Sequence, residues 1–175
     1  LGDYIYEAAG DSYQSEKVEG LHTKIIMPSN SRKPNNSEAQ IAVTTEDYRY
    51  LYKKYRSDER LQALHARFAL IAIWDDHELA NDAWRNGAEN HQATEGAFLD
   101  RKLAALQAYF EWMPIRPVDE QHTKIYRQFD FGQLVQLTML DTRIIARDAQ
   151  LDYADYMTAT GLDALRFQAD LTNQT

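Results

Sequence analysis

Residues 68–74, FALIAIW, are apolar without a break, and the next four are Asp75, Asp76, His77 and Glu78. A run this short and continuous reads as a strand buried on both faces, which demands packed layers above and below it. Three carboxyl groups and an imidazole then stand where the strand ends, and none of them tolerates burial without compensation. A bound cation is the simplest compensation; a solvated acidic loop is the other reading. Open α/β sheets gather ligands beyond the carboxyl ends of their strands, so the position itself points to a site.

The rest of the chain supplies layers for such a strand. Thr44 with Asp47 forms a capping-box pattern, and Tyr48, Leu51, Tyr52 and Tyr55 follow at helical spacing. Ser57 is expected to open a second helix carrying Leu61 and Leu64. Thr94 can cap a long helix with the stripe Leu99, Leu103, Leu106, Phe110 and Met113, which Pro114 stops. KIYRQFDF and LVQLTML alternate around Gly132 as an antiparallel hairpin does, and a last helix is expected near 162–171. Residues 10–42, with Gly10, Gly20, Pro28, Pro34 and the polar run SNSRKPNNSE, read as a long surface loop or insertion. The fold class expected is α/β.

At 175 residues the chain has the length of one ordinary domain. Its 27 acidic against 19 basic residues give a net charge of −8, which disfavours nonspecific nucleic-acid binding and leaves carboxylates for hard cations. No apolar run is long enough to span a bilayer. The absence of cysteine excludes disulfides, thiolate ligands and a cysteine nucleophile within these residues.

Two further places resemble strand ends: LGDYIYE at 1–7 and LDTR at 140–143. Alone, Gly2-Asp3 is a turn as readily as a ligand loop, and Asp141 with Arg143 can simply pair or cap the next element. Their order decides more. GDYIYE, IAIWDDHELANDAW, GAENH, QAYFEWMPIRP and LDTR in succession resemble the PhoD-like alkaline phosphatases and phosphodiesterases, within the calcineurin-like metallophosphatases. The resemblance covers most of residues 1–145 and is weakest at 10–42.

The resemblance implies a layered β-sheet sandwich flanked by helices, of which residues 1–175 would be the central part, incomplete at both ends. It implies metal ligands at Asp3, bridging two ions; at Tyr6, a phenolate suited to ferric iron; at Asp76, which suits calcium; and at Asn81, through its amide oxygen. His77 would protonate the leaving alkoxide or steady the charged transition state, and Arg143 would contact a phosphate oxygen or pair with a neighbouring acid. Asp75 and Glu78 would orient the loop. The implied cofactors are two or more metal ions, Fe3+ and Ca2+, with other divalent ions open. The implied reaction is hydrolysis of phosphate mono- or diesters by in-line attack of a metal-bound hydroxide, with no protein nucleophile.

An earlier ligand-bearing strand and a late Gly-Asp-x-His segment of that family have no counterpart here. The isolated chain is therefore expected to be weakly active or inactive, and the alternative is a noncatalytic metal-binding or structural piece that keeps the motif. The partner implied is a phosphate-ester substrate, and the location implied is periplasmic or secreted.

Overall fold

Thr44 begins the first helix, α1 (Thr45–Tyr55): its side chain accepts from the Asp47 backbone N–H, and Asp47 accepts from the Thr44 N–H at 2.9 Å. The expected capping box is thus present, satisfying donors that a helix start otherwise leaves open. The computed structural model describes residues 2–9, 25–28, 40–119 and 123–173. Tyr48, Leu51 and Tyr52 of α1 are fully buried and face α3 (Phe98–Trp112). Burial of side chains this size contributes about 1.5–3 kcal/mol each. A second helix, α2 (Glu59–Arg67), is capped by Asp58 rather than Ser57 and buries none of its residues; Leu64 is exposed.

The buried face of α3 differs from the expected stripe. Phe98, Arg101, Ala105, Leu106, Ala108 and Tyr109 are inside, while Leu99 and Leu103 lie out. Leu106 and Met113 of that stripe are buried and Phe110 packs against the core, while Ala105 and Ala108 join the buried face beside them. Thr94 falls in a separate 3₁₀ turn (Ala93–Glu95), and the helix starts after Ala97. Met113 ends it, just before Pro114.

Residues 69–75 are not a strand: they form no ladder with any described residue. They still thread the core, with Ala72 and Trp74 buried and Trp74 edge-on to Tyr109 at 5.3 Å. The small sheets of the described residues likewise do not make up a layered sandwich. Among the described residues the sheets are three antiparallel pairs: β1 (Ala8–Ala9) with β2 (Gln40–Ile41), β3 (Arg127–Phe131) with β4 (Val135–Met139), and β5 (Met157–Thr158) with β6 (Gly161–Leu162). The hairpin expected around Gly132 is β3–β4, turning with Gly132 at φ 60°. A helix α4 (Ala164–Asn173) ends the described chain. Helix and strand are mixed, as an α/β chain requires.

Most of 10–42 lies outside the described residues. Its last residues form β2 and continue into the core, where Ile41 and Ala42 are buried and the Ala42 N–H donates to the Glu7 carbonyl. The chain at 2–9 is thereby tied to the entry of α1.

Candidate metal centre

Two stretches meet at the site, residues 2–7 and 75–82. They touch at Gly2, where a Cβ would stand 2.5 Å from the Asp75 nitrogen and 2.6 Å from its Cβ. No side chain fits there, which is why the motif opens on glycine.

Each stretch sends a buried carboxylate into the other. Glu78, 0% exposed, accepts the backbone N–H of Tyr4 at 2.5 Å and of Asp75 at 2.7 Å, with a further bond from the Asp3 backbone. Burial outweighs these donors and pushes its carboxyl up to about 7. Glu7, also 0% exposed, bonds His77 Nδ1 at 2.7 Å and accepts from the Asn81 N–H at 2.7 Å and from Asn90 Nδ2 at 2.5 Å. Burial would raise its pKa, but His77, Arg101 and Asn90 overcome it and hold the carboxyl below its ordinary value.

On this frame Asp3, Asp75 and Asp76 bring one oxygen each to within 4.8 Å of one another. Asp76, His77 and Glu78 are 5%, 9% and 0% exposed, so the solvated-loop reading of DDHE fails. Asp3 occupies the left-handed region at φ 55°, as does Asp82 at φ 49°. These are the non-glycine residues so placed among those described; Asp3 belongs to the cluster and Asp82 adjoins Arg143, and aspartate is among the side chains that enter this region most readily. The Asp3 carboxylate bonds the His77 backbone, yet its Oδ1 is buried without a hydrogen-bond partner. Burial, with the charges of Asp75 and Asp76, raises its pKa above the usual carboxylate range against the pull of His77.

Arg143 supplies positive charge from the other side. It bonds Asp75 at 2.5 Å and lies 3.3 Å from Asp76 and 3.7 Å from Asp82. Burial lowers its pKa, but the Asp75 bond and the neighbouring carboxylates more than restore it. Asp141 accepts the N–H groups of Arg143 and Ile144, so it shapes the turn that delivers the guanidinium.

The Tyr6 ring packs on the His77 ring, 4.1 Å between centroids and 30° between planes. Burial and the charge of Asp3 raise the Tyr6 pKa, so its phenol stays protonated unless a cation joins it. His77 itself is pulled down by burial and carried above its ordinary value by Glu7, Asp76 and Asp3. Asn81 follows the turn after Asp76; its backbone binds Glu7 and its side-chain amide donates to Glu89 at 3.2 Å. The six expected site residues therefore share one region, while the Asn81 amide is turned to Glu89. Glu7, Asn90 and Arg101 are the additions. Glu7 announces itself only as an acid wedged between Tyr6 and two alanines.

Residues 1–173 match the sequence pattern of PhoD, the PhoD-like phosphatases. The chain is 38% identical over 146 residues to alkaline phosphatase D of Bacillus subtilis (strain 168), covering 82% of this chain and 22% of that protein. A solved structure described as "Structure of PhoD" superposes with a TM-score of 0.65 at 36% identity, over 86% of this chain and 26% of that one. The chain spans about a quarter of the length of these relatives. With a pattern matched almost end to end, the chain belongs to the PhoD-like phosphatase family.

Proposed function

We propose that this chain carries the central metal-holding part of a hydrolase for phosphate mono- or diesters. The observation that carries the reading is the Asp3 oxygen: buried, unpartnered, and crowded by two further carboxylates. Hard oxygen donors of this kind fit a hard cation, which removes both the repulsion and the orphaned acceptor. Asp3 would bridge two ions, Tyr6 would favour Fe3+, and Asp76 would favour Ca2+ with Asn81 as a further ligand once its amide turns from Glu89. When bound, such ions neutralise phosphoryl charge and acidify water.

The protein's own groups do the remainder. Arg143 and Glu78 hold the carboxylates in register, and Glu7 holds His77. His77 donates a proton to the leaving alkoxide oxygen, where charge develops as the ester bond breaks. Arg143 is committed to Asp75 and Asp76, so it acts on substrate charge from that anchored position. The sheet sandwich, with residues 1–175 at its centre and an insertion at 10–42, belongs to the same reading, as does a periplasmic or secreted location. No helix among the described residues is long and apolar enough to cross a membrane.

The test is turnover of p-nitrophenyl phosphate and bis(p-nitrophenyl) phosphate by the whole protein and its Asp76→Ala variant. Loss of roughly 100-fold or more in kcat on substitution is expected, as for other groups that stabilise transition-state charge. Equal turnover of the two proteins, or none by the wild type, would sink the reading in favour of a noncatalytic metal-binding piece.

A further inference from the structure

Residues 141–148 belong to no helix or strand, yet they carry Arg143. Its guanidinium is divided among three acids, with Nε on Asp75 at 2.5 Å, one terminal nitrogen 3.3 Å from Asp76 and the other 3.7 Å from Asp82. A rigid fork shared this way keeps its geometry only while the backbone behind it keeps its place. Asp141 shapes that backbone through the N–H groups of Arg143 and Ile144, but a local turn does not fix a loop against the rest of the molecule.

Lys102 of α3 supplies that link. Its ammonium donates to the Ile144 carbonyl at 3.0 Å and to the Arg85 carbonyl at 3.2 Å. The Arg85 N–H in turn donates to the Arg147 carbonyl at 2.9 Å, and the Arg85 side chain bonds Asp148 at 2.7 Å. One cation therefore joins a helix to two loops, and the two loops are joined to each other. An ammonium carries three donors on a single point, which suits carbonyls that arrive from different directions. Burial lowers the Lys102 pKa, and the negative charge of Asp141 opposes that loss.

We infer that Lys102 is a positioning residue for the hydrolytic reaction: by holding the Ile144 and Arg85 carbonyls against α3, it sets where the Arg143 guanidinium stands. Both of its bonds go to backbone, so it acts through the loop that carries Arg143. Its effect on turnover rests on the part given to Arg143 above; the placement of Arg143 does not.

Lys102→Met keeps the length of the side chain and removes its donors. In NMR of the metal-free whole protein, the Arg143 Nε–H signal is identified by its loss in Arg143→Gln. Its hydrogen exchange should be about 10-fold faster or more in Lys102→Met, the worth of one hydrogen bond to a charged group. The Arg101 Nε–H, one residue away on α3 but bonded to Ala42 and Tyr48 in the core, should be unmoved. That contrast separates lost placement from a general loosening of the helix. Lys102→Arg, with the charge and donors kept, should exchange close to the wild type, and Lys102→Gln, a milder change on a shorter stem, should lie between. In the metal-loaded protein, Lys102→Met should lower kcat by about 10-fold, and in an Arg143→Gln background it should cost almost nothing further.

Arg143 exchange that is the same in the wild type and Lys102→Met, equal acceleration at Arg101, or an equal further loss of kcat in the Arg143→Gln background would overturn the inference and leave Lys102 as packing. If Arg143→Gln turns over at the wild-type rate, the part given to Arg143 fails, and Lys102 has no part in the reaction. If Arg143→Gln is slow while Lys102→Met matches the wild type, the reading of Arg143 stands and Lys102 alone is wrongly assigned.

Discussion

At the scale of single residues, the site is a set of conflicts resolved in pairs. Asp3, Asp75 and Asp76 crowd one another, and Arg143 answers only part of their charge. Asp3 is the residue left over, with a buried oxygen that has no hydrogen-bond partner. Asp3→Asn should therefore stabilise the metal-free protein, since it removes repulsion and asparagine accepts φ 55° readily. Screening of a part-exposed group limits the gain to about 1 kcal/mol or less, a rise in Tm of no more than about 4 °C. Added calcium should raise the Tm of the wild type and leave the variant nearly unmoved. Differential scanning calorimetry with and without calcium reads both; a variant that melts lower than the wild type without metal would contradict the account.

At the scale of elements, helices frame the site without entering it. The core of α1 and α3 is aromatic and small-residue packing, and Arg101 of α3 reaches from it to Asn90, Ala42 and Tyr48. By contrast α2 buries nothing; His65 ties it to the Tyr4 hydroxyl at 2.7 Å, and a cap holds its start. Its cap, Asp58, bonds the Arg60 side chain and receives the Leu61 and Arg60 N–H groups, which lowers its carboxyl from 3.8 to about 2. The folded pKa lies below the unfolded one, so the stabilisation is complete above about 3.8 and fades as pH falls towards 2. Side-chain NMR should show Asp58 titrating near 2. Helical signals of α2 should fade in step with that titration, ahead of those of α1, whose buried aromatics hold it independently. An Asp58 that titrates at its ordinary value would remove the cap from this description.

At the scale of the whole molecule, what was legible in the sequence follows from how local each signal is. The capping box at Thr44, the hairpin around Gly132 and the end of α3 near Pro114 depend on neighbouring residues, and all three are present. The face of α3 was legible only in its second half, at Leu106, Phe110 and Met113; Arg101 inside and Leu99 outside reverse the usual sorting by hydropathy in the first. FALIAIW buries only Ala72 and Trp74 and leaves Phe68 exposed, and a strand would also need a partner, which is not found among the described residues. For the site, the order of GDYIYE, DDHE and LDTR brought Asp3, Tyr6, Asp76, His77 and Arg143 together. Glu7 stayed hidden, since its partners lie about 70 to 83 residues away and only folding joins them.

The central claim is that Asp3, Tyr6 and Asp76 hold metal ions for phosphoester hydrolysis. The most direct measurement is the visible absorption spectrum of the whole protein titrated with Fe3+ and compared with Tyr6→Phe. The account predicts a tyrosinate-to-iron charge-transfer band that saturates at one iron per protein and vanishes in Tyr6→Phe. A wild type that binds no iron, or a band that persists in the variant, would contradict it.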